Sequence, residues 1–228
     1  MATRRALTIL LTLLLCASAA QAHVPFLEDR DFTCDKPFVP EMPEQSLAVY
    51  AWLEGKHDVD YYVFEIKTKT PFLAEVLVPV HPQYAKFRPA FALIGKGFPK
   101  APKSLPVRPH EGYGALVFLD LAVGPRKSFY EPFGGKSYYR GPRVERVLEP
   151  GRYAVIYWDP RHGKGDYVAV LGRKEIWRPK DIGRALRITP RIRRGKELHL
   201  DKTKPATPPA KPAQKPRGPR STESSKDG

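Results

Sequence analysis

The chain has 228 residues, 42% hydrophobic and 28% charged, with a formal net charge of +15 at pH 7. The charge is uneven: residues 173–228 hold 17 Lys and Arg against 6 Asp and Glu, while residues 23–172 hold 20 against 18, so the body is near neutral and the basicity is C-terminal. Past the N-terminal stretch no run approaches the ~18 to 20 uncharged apolar residues of a spanning helix, and Cys34 is the one cysteine after Cys16, which excludes an intramolecular disulfide in a processed chain.

In chain order, residues 1–22 read as an export signal. Arg4 and Arg5 form a positive start, residues 7–17 an apolar core, and Ala20-Gln21-Ala22 the small-x-small pattern that signal peptidase reads. The protein is therefore expected to be exported, periplasmic or secreted, with no transmembrane segment in the mature chain. Cys16 follows Leu13-Leu14-Leu15 instead of a small residue, which disfavours a lipid anchor. Cleavage after Ala22 makes His23 the first residue; cleavage after Ala20 leaves Gln21 there instead.

Residues 23–45 are expected to be an extended N-terminal segment, and Cys34 in it has no neighbouring base to activate it. From Ser46 the pattern changes to short alternating strands: Leu47, Val49, Ala51 and Leu53 share one face, and Tyr62, Phe64 and Ile66 another. Further strands are expected over 72–80, 90–94, 115–121, 152–158 and 167–171, separated by Gly, Pro, Asp or Lys clusters. Residues 99–109 read as a long surface crossing. Residues 129–140 (FYEPFGGKSYYR) read as a hairpin or ordered loop. This spacing predicts an all-β fold, an antiparallel β-sandwich or jelly roll over 46–177. Residues 178–200 form a basic segment, with a short helix over 181–189 ended by Pro190. Residues 201–228, rich in Lys and Pro and free of aromatics, are expected to be disordered.

Two stretches resemble the bacterial pre-peptidase C-terminal (PPC-like) domain. One is Asp58-Val59-Asp60-Tyr61-Tyr62-Val63-Phe64-Glu65-Ile66, similar to that family's Asp-x-Asp-aromatic opening. The other is Gly151-Arg152-Tyr153-Ala154-Val155 with Gly165-Asp166-Tyr167-Val168-Ala169-Val170, similar to its closing hairpin. Between them residues 99–146 depart from the family pattern. The resemblance implies a small β-sandwich with a non-catalytic accessory or binding role.

Two metal readings stand beside this. His23, with a free amine and an imidazole on one residue, is a ready bidentate ligand for copper if folding brings a second histidine near. Asp58 and Asp60, with Asp159 and Asp166 in the last hairpin loop, offer hard oxygens for calcium, although aspartates before strands also cap turns. For a binding surface, Phe129, Tyr130, Phe133, Tyr138 and Tyr139 can form an aromatic platform for a glycan or protein partner, or else fill the core.

Gly134-Gly135-Lys136-Ser137 is not a phosphate loop, because Tyr130 stands where the first glycine belongs. No Gly-x-Ser-x-Gly elbow exists. The expected function is thus an exported, non-enzymatic module that associates with an anionic envelope surface or acidic polymer through its basic tail, with no specific nucleic acid partner. A periplasmic copper-binding protein using His23 is the alternative, and a metal-dependent enzyme the third reading.

Overall fold

The computed structural model describes residues 23–121 and 124–200. The expected export signal (1–22) and the expected disordered tail (201–228) lie outside them. The elements are β1 (Val24–Leu27), β2 (Leu47–Leu53), β3 (Asp60–Ile66), β4 (Thr70–Pro79), a 3-10 turn (Pro82–Tyr84), β5 (Ala90–Lys96), β6 (Tyr113–Phe118), β7 (Ser128–Glu131), β8 (Lys136–Leu148), β9 (Gly151–Trp158), β10 (Gly165–Leu171) and α1 (Pro179–Arg193). A six-stranded sheet in the order β1-β2-β10-β4-β8-β7 packs against a four-stranded sheet in the order β3-β9-β5-β6. Apart from the parallel pairing of β1 with β2, neighbouring strands run antiparallel, so the fold is the expected sandwich.

The alternating residues of β2 and β3 meet between the sheets. Leu47, Val49, Ala51 and Leu53 face Tyr62, Phe64 and Ile66, joined by Phe91, Tyr157 and Tyr167. The outer faces are covered too. Ala48, Tyr50, Val168 and Val170 on the back of the large sheet receive Ile192 of α1, and Leu105 of the surface crossing covers Ala92 and Ile156 behind the small one. Covered on both faces, β2 and β10 are buried at every residue, and their sequences are apolar almost throughout. Glycine permits the approach of the crossing: a Cβ at Gly114 would lie 2.2 Å from the carbonyl oxygens of Phe98 and Pro99.

Three expectations need correction. The segment 23–45 is not merely extended, because β1 joins the sheet with Val24 opposite Leu47. The stretch 129–140 is a hairpin, but its second strand runs on to Leu148. Glu75 pairs with Arg143 and Leu77 with Arg140, so Gly141 and Pro142 together oppose Val76. The N–H that proline lacks falls in that bulge, where no ladder bond is lost. Finally, Pro190 does not end the helix, which reaches Arg193. Proline removes one bond to the preceding turn, but the fully buried Ile192 anchors the turn beyond it.

The start of α1 is fixed by charge. Asp181, fully buried, accepts from Arg178 Nε at 2.7 Å, Arg184 at 3.0 Å, Gln45 Nε2 at 2.9 Å and the Arg178 backbone N–H at 3.2 Å. Past the helix, Lys136 pairs with Glu197 at 2.5 Å, and Leu200 packs against the core.

Candidate functional site

Glu28, Asp31 and Asp60 converge at one end of the sandwich, where each can place a carboxylate oxygen within 4.8 Å of the other two. Strand β1 delivers Glu28. Its N–H continues the ladder to Tyr50 O at 2.9 Å, and its Oε2 accepts the Trp52 N–H at 2.7 Å. Asp31 follows in the exposed loop. Asp60, the first residue of β3, is fully buried. Its Oδ2 accepts the Tyr167 hydroxyl at 2.6 Å, and that hydroxyl lies 3.1 Å from the Tyr62 hydroxyl. Oδ1 of Asp60 is buried with no hydrogen-bond partner. Glu28 and Asp31 border a hollow of about 200 Å³ whose other walls include Trp52, Asp58 and His199.

The electrostatics follow from burial and like charge. Desolvation pushes Glu28 up to about 8, with Asp31, Asp58 and Asp166 adding repulsion against the Trp52 N–H. Desolvation and the Glu28 charge hold Asp60 well above the usual carboxylate range, despite the Tyr167 bond. Asp31 and Asp58 are raised in the same way, by burial first and neighbouring acids second. Arg30 lines the hollow but sits beside Asp29, at 3.5 Å. A buried carboxylate with one oxygen unsatisfied, facing two further carboxylates, is an arrangement that a cation relieves. The donors are all oxygens, the chemistry of a hard divalent ion such as calcium and not of copper.

The sequence-predicted residues divide. Asp60 is in the cluster. Asp58 lines the same hollow, but its carboxylate accepts the Glu54 N–H and so also caps its turn. Asp166 is engaged by His199, through both its N–H and Nδ1 at 2.7 Å, and by the Tyr84 hydroxyl. Asp159 caps the hairpin turn through the Arg161 N–H at 2.8 Å. His23 lies elsewhere, with Nδ1 2.5 Å from Ser46 Oγ and a ring that burial and then Arg143 lower to about 4. Among the described residues, the closest ring pair between histidines is instead His57 and His162, 6.4 Å apart.

The five aromatics do not form one platform. Tyr138 is 1% exposed in the cluster behind the large sheet, with Phe129 packed on it. Tyr139 points the opposite way, to the main core, under Arg126. Phe133 sits tilted against Trp177, and Tyr130 is left exposed. Strand alternation separates Tyr138 from Tyr139 by sending successive side chains to opposite faces.

Glu28, Asp31 and His199 were not anticipated. The run Glu28-Asp29-Arg30-Asp31 is the local signal for the first two. Nothing local marks His199, which is placed by the return of the chain after α1.

No protein-family model matches the chain, and no curated protein sequence matches it. Among solved structures it is similar to the pre-peptidase C-terminal domain of a collagenase from Bacillus anthracis, at 10% identity and TM-score 0.34 over 66% of this chain and 97% of that one. It is also similar to CorA, a surface-associated copper-binding protein of Methylomicrobium album BG8, at 8% identity and TM-score 0.29 over 67% and 99% of the chains. A third is the carbohydrate-binding module CBM27-1 of Caldicellulosiruptor saccharolyticus, solved with mannohexaose, at 14% identity and TM-score 0.28 over 62% and 73%. No helix of the described residues is long and apolar enough to cross a membrane.

Proposed function

We propose that this chain is an exported, non-enzymatic binding module that takes up a hard divalent cation, calcium before magnesium, between Glu28, Asp31 and Asp60. The observation that carries the reading is the fully buried Asp60, whose Oδ1 has no hydrogen-bond partner, in a cluster with two other carboxylates. Calcium tolerates the irregular oxygen shell that one loop and a strand end can supply, whereas magnesium demands near-octahedral geometry. Thermal unfolding of chelator-stripped protein with added calcium is the test. At a hundredfold excess over Kd the gain is ~2.7 kcal/mol, a rise of roughly 5 to 10 °C for a domain of this size. Asp60→Asn should abolish the rise. An unchanged melting temperature in millimolar calcium removes the reading.

A second reading, association with an anionic envelope surface, is favoured by the concentration of charge in residues 173–228, +11 (17 minus 6) against +2 (20 minus 18) in residues 23–172. Such a field draws anionic partners in a salt-dependent way.

A further inference from the structure

We propose that the solvent face of α1 docks on an anionic lipid surface, with Ile182 and Leu186 entering the headgroup region while arginines beside them engage lipid phosphates. The inference rests on the anionic-surface reading and assigns it to the helix instead of the tail. Its basis is how α1 distributes its side chains. Asp181, Ala185 and Ile192 are buried against the sandwich. One step around the helix, Ile182, Leu186 and Pro190 recur at every fourth residue and form a stripe. Ile182 is 50% exposed and Leu186 73%. The next strip of surface is cationic, with Arg187, Arg191 and Arg194 all exposed. Asp181, the single acid on the helix, is held inside by Arg178 and Arg184, so these outer arginines have no carboxylate on their own helix.

An apolar stripe bordered by cations is the pattern of a helix that lies in a membrane interface. Two aromatics extend it: Trp177 and Phe133, ring centroids 6.2 Å apart, line the shallow groove beside Ile182 and Leu186. Tryptophan favours the headgroup level. Leu186 stands out from the surface, so this face suits insertion into a lipid layer better than reception of a peptide side chain. The helix is also a fixed platform, held through Gln45 and Asp181 at one end and Ile192 at the other.

The test uses the exported, processed chain and phosphatidylglycerol vesicles, with phosphatidylcholine vesicles and dissolved polygalacturonate as comparisons. Binding is followed by sedimentation and by tryptophan emission, which reports Trp177 because Trp52 and Trp158 are each 6% exposed. Phosphatidylglycerol vesicles should bind and shift the emission to the blue. I182S/L186S should weaken that binding at least tenfold and abolish the shift, with the circular dichroism unchanged because both residues are exposed. R187E/R191E should weaken it most at low salt. Polygalacturonate binding should not respond to I182S/L186S. Vesicle binding unaffected by I182S/L186S would overturn the proposal and leave the anionic-surface reading standing on charge alone. Equal loss of polygalacturonate binding would overturn the lipid assignment. Failure of the unmodified chain to bind either anionic probe would overturn both readings.

Discussion

Asp181 and Asp60 are both fully buried carboxylates, and the fold surrounds them in opposite ways. Asp181 has two guanidinium groups, an amide and a backbone N–H around it, and its carboxyl is held below the usual range, with the Arg178 bonds as the largest cause. Asp60 has one tyrosine hydroxyl, an unsatisfied oxygen and acidic neighbours, and it is held far above that range. The chain is rich in arginine, yet among the described residues none closes the second site. The difference separates a carboxylate that builds the fold from one that, on the proposed reading, takes its counter-charge from a bound cation.

The largest expected effect is on the paired site. Asp181→Ala leaves Arg178, Arg184 and Gln45 without their acceptor, and breaking a buried ion pair costs ~3 to 5 kcal/mol. Because Arg178 and Arg184 are 27% and 23% exposed, the loss should be about 2 to 3 kcal/mol after allowance for solvent screening. Urea unfolding of Asp60→Asn in chelator should show no loss, or a gain of ~1 kcal/mol, since the amide keeps an acceptor for Tyr167 and removes the desolvated charge. A comparable loss at both positions would break the comparison.

The pH profile sharpens it. Glu28 rises from 4.5 to about 8 on folding, so the folded state binds protons more tightly and stability without cation is fullest below 4.5. It should decline as pH rises from 4.5 through about 8, read as a falling melting temperature across that range. Glu28→Gln should flatten that limb. Asp181 works in the opposite sense, losing its contribution as pH falls below the usual carboxylate range.

His23 gives a further acid-side test. Its folded value of about 4 lies below the ordinary 6.5, so the unfolded chain protonates first and stability declines as pH falls from 6.5 to 4. His23→Gln should reduce that acid-side slope. An unchanged slope would place the acid sensitivity elsewhere.

Much of the sandwich was legible because its strands announce themselves locally: Asp60–Ile66 has a period of two, and Leu47–Leu53 is an unbroken apolar run of strand length. The second half of β8 was not, since Gly141-Pro142 reads as a break until Val76 is known to lie opposite. β1 escaped for a related reason. Four residues carry no periodicity, and a parallel pairing has no tight turn to mark it. The site shares this limit. Asp60 was readable as an acid before a strand, but its cluster includes Glu28 and Asp31, some thirty residues earlier, and only the docking of β1 joins them. The aromatic stretch shows the reverse: a conspicuous local signal that strand alternation divides between faces.

Strand β1 also has a bearing on self-association. It occupies the outer edge of the large sheet, and β2 beneath it is buried at every residue from Leu47 to Leu53. If β1 detached, β2 would present an apolar ribbon of unpaired N–H and C=O groups, a template on which a second chain can pair. Glu28 lies directly after β1 and Asp60 begins a strand of the opposite sheet. An ion bridging them would act as a rivet on that guard strand, and its removal would show as turbidity and fibrils before any loss of the core.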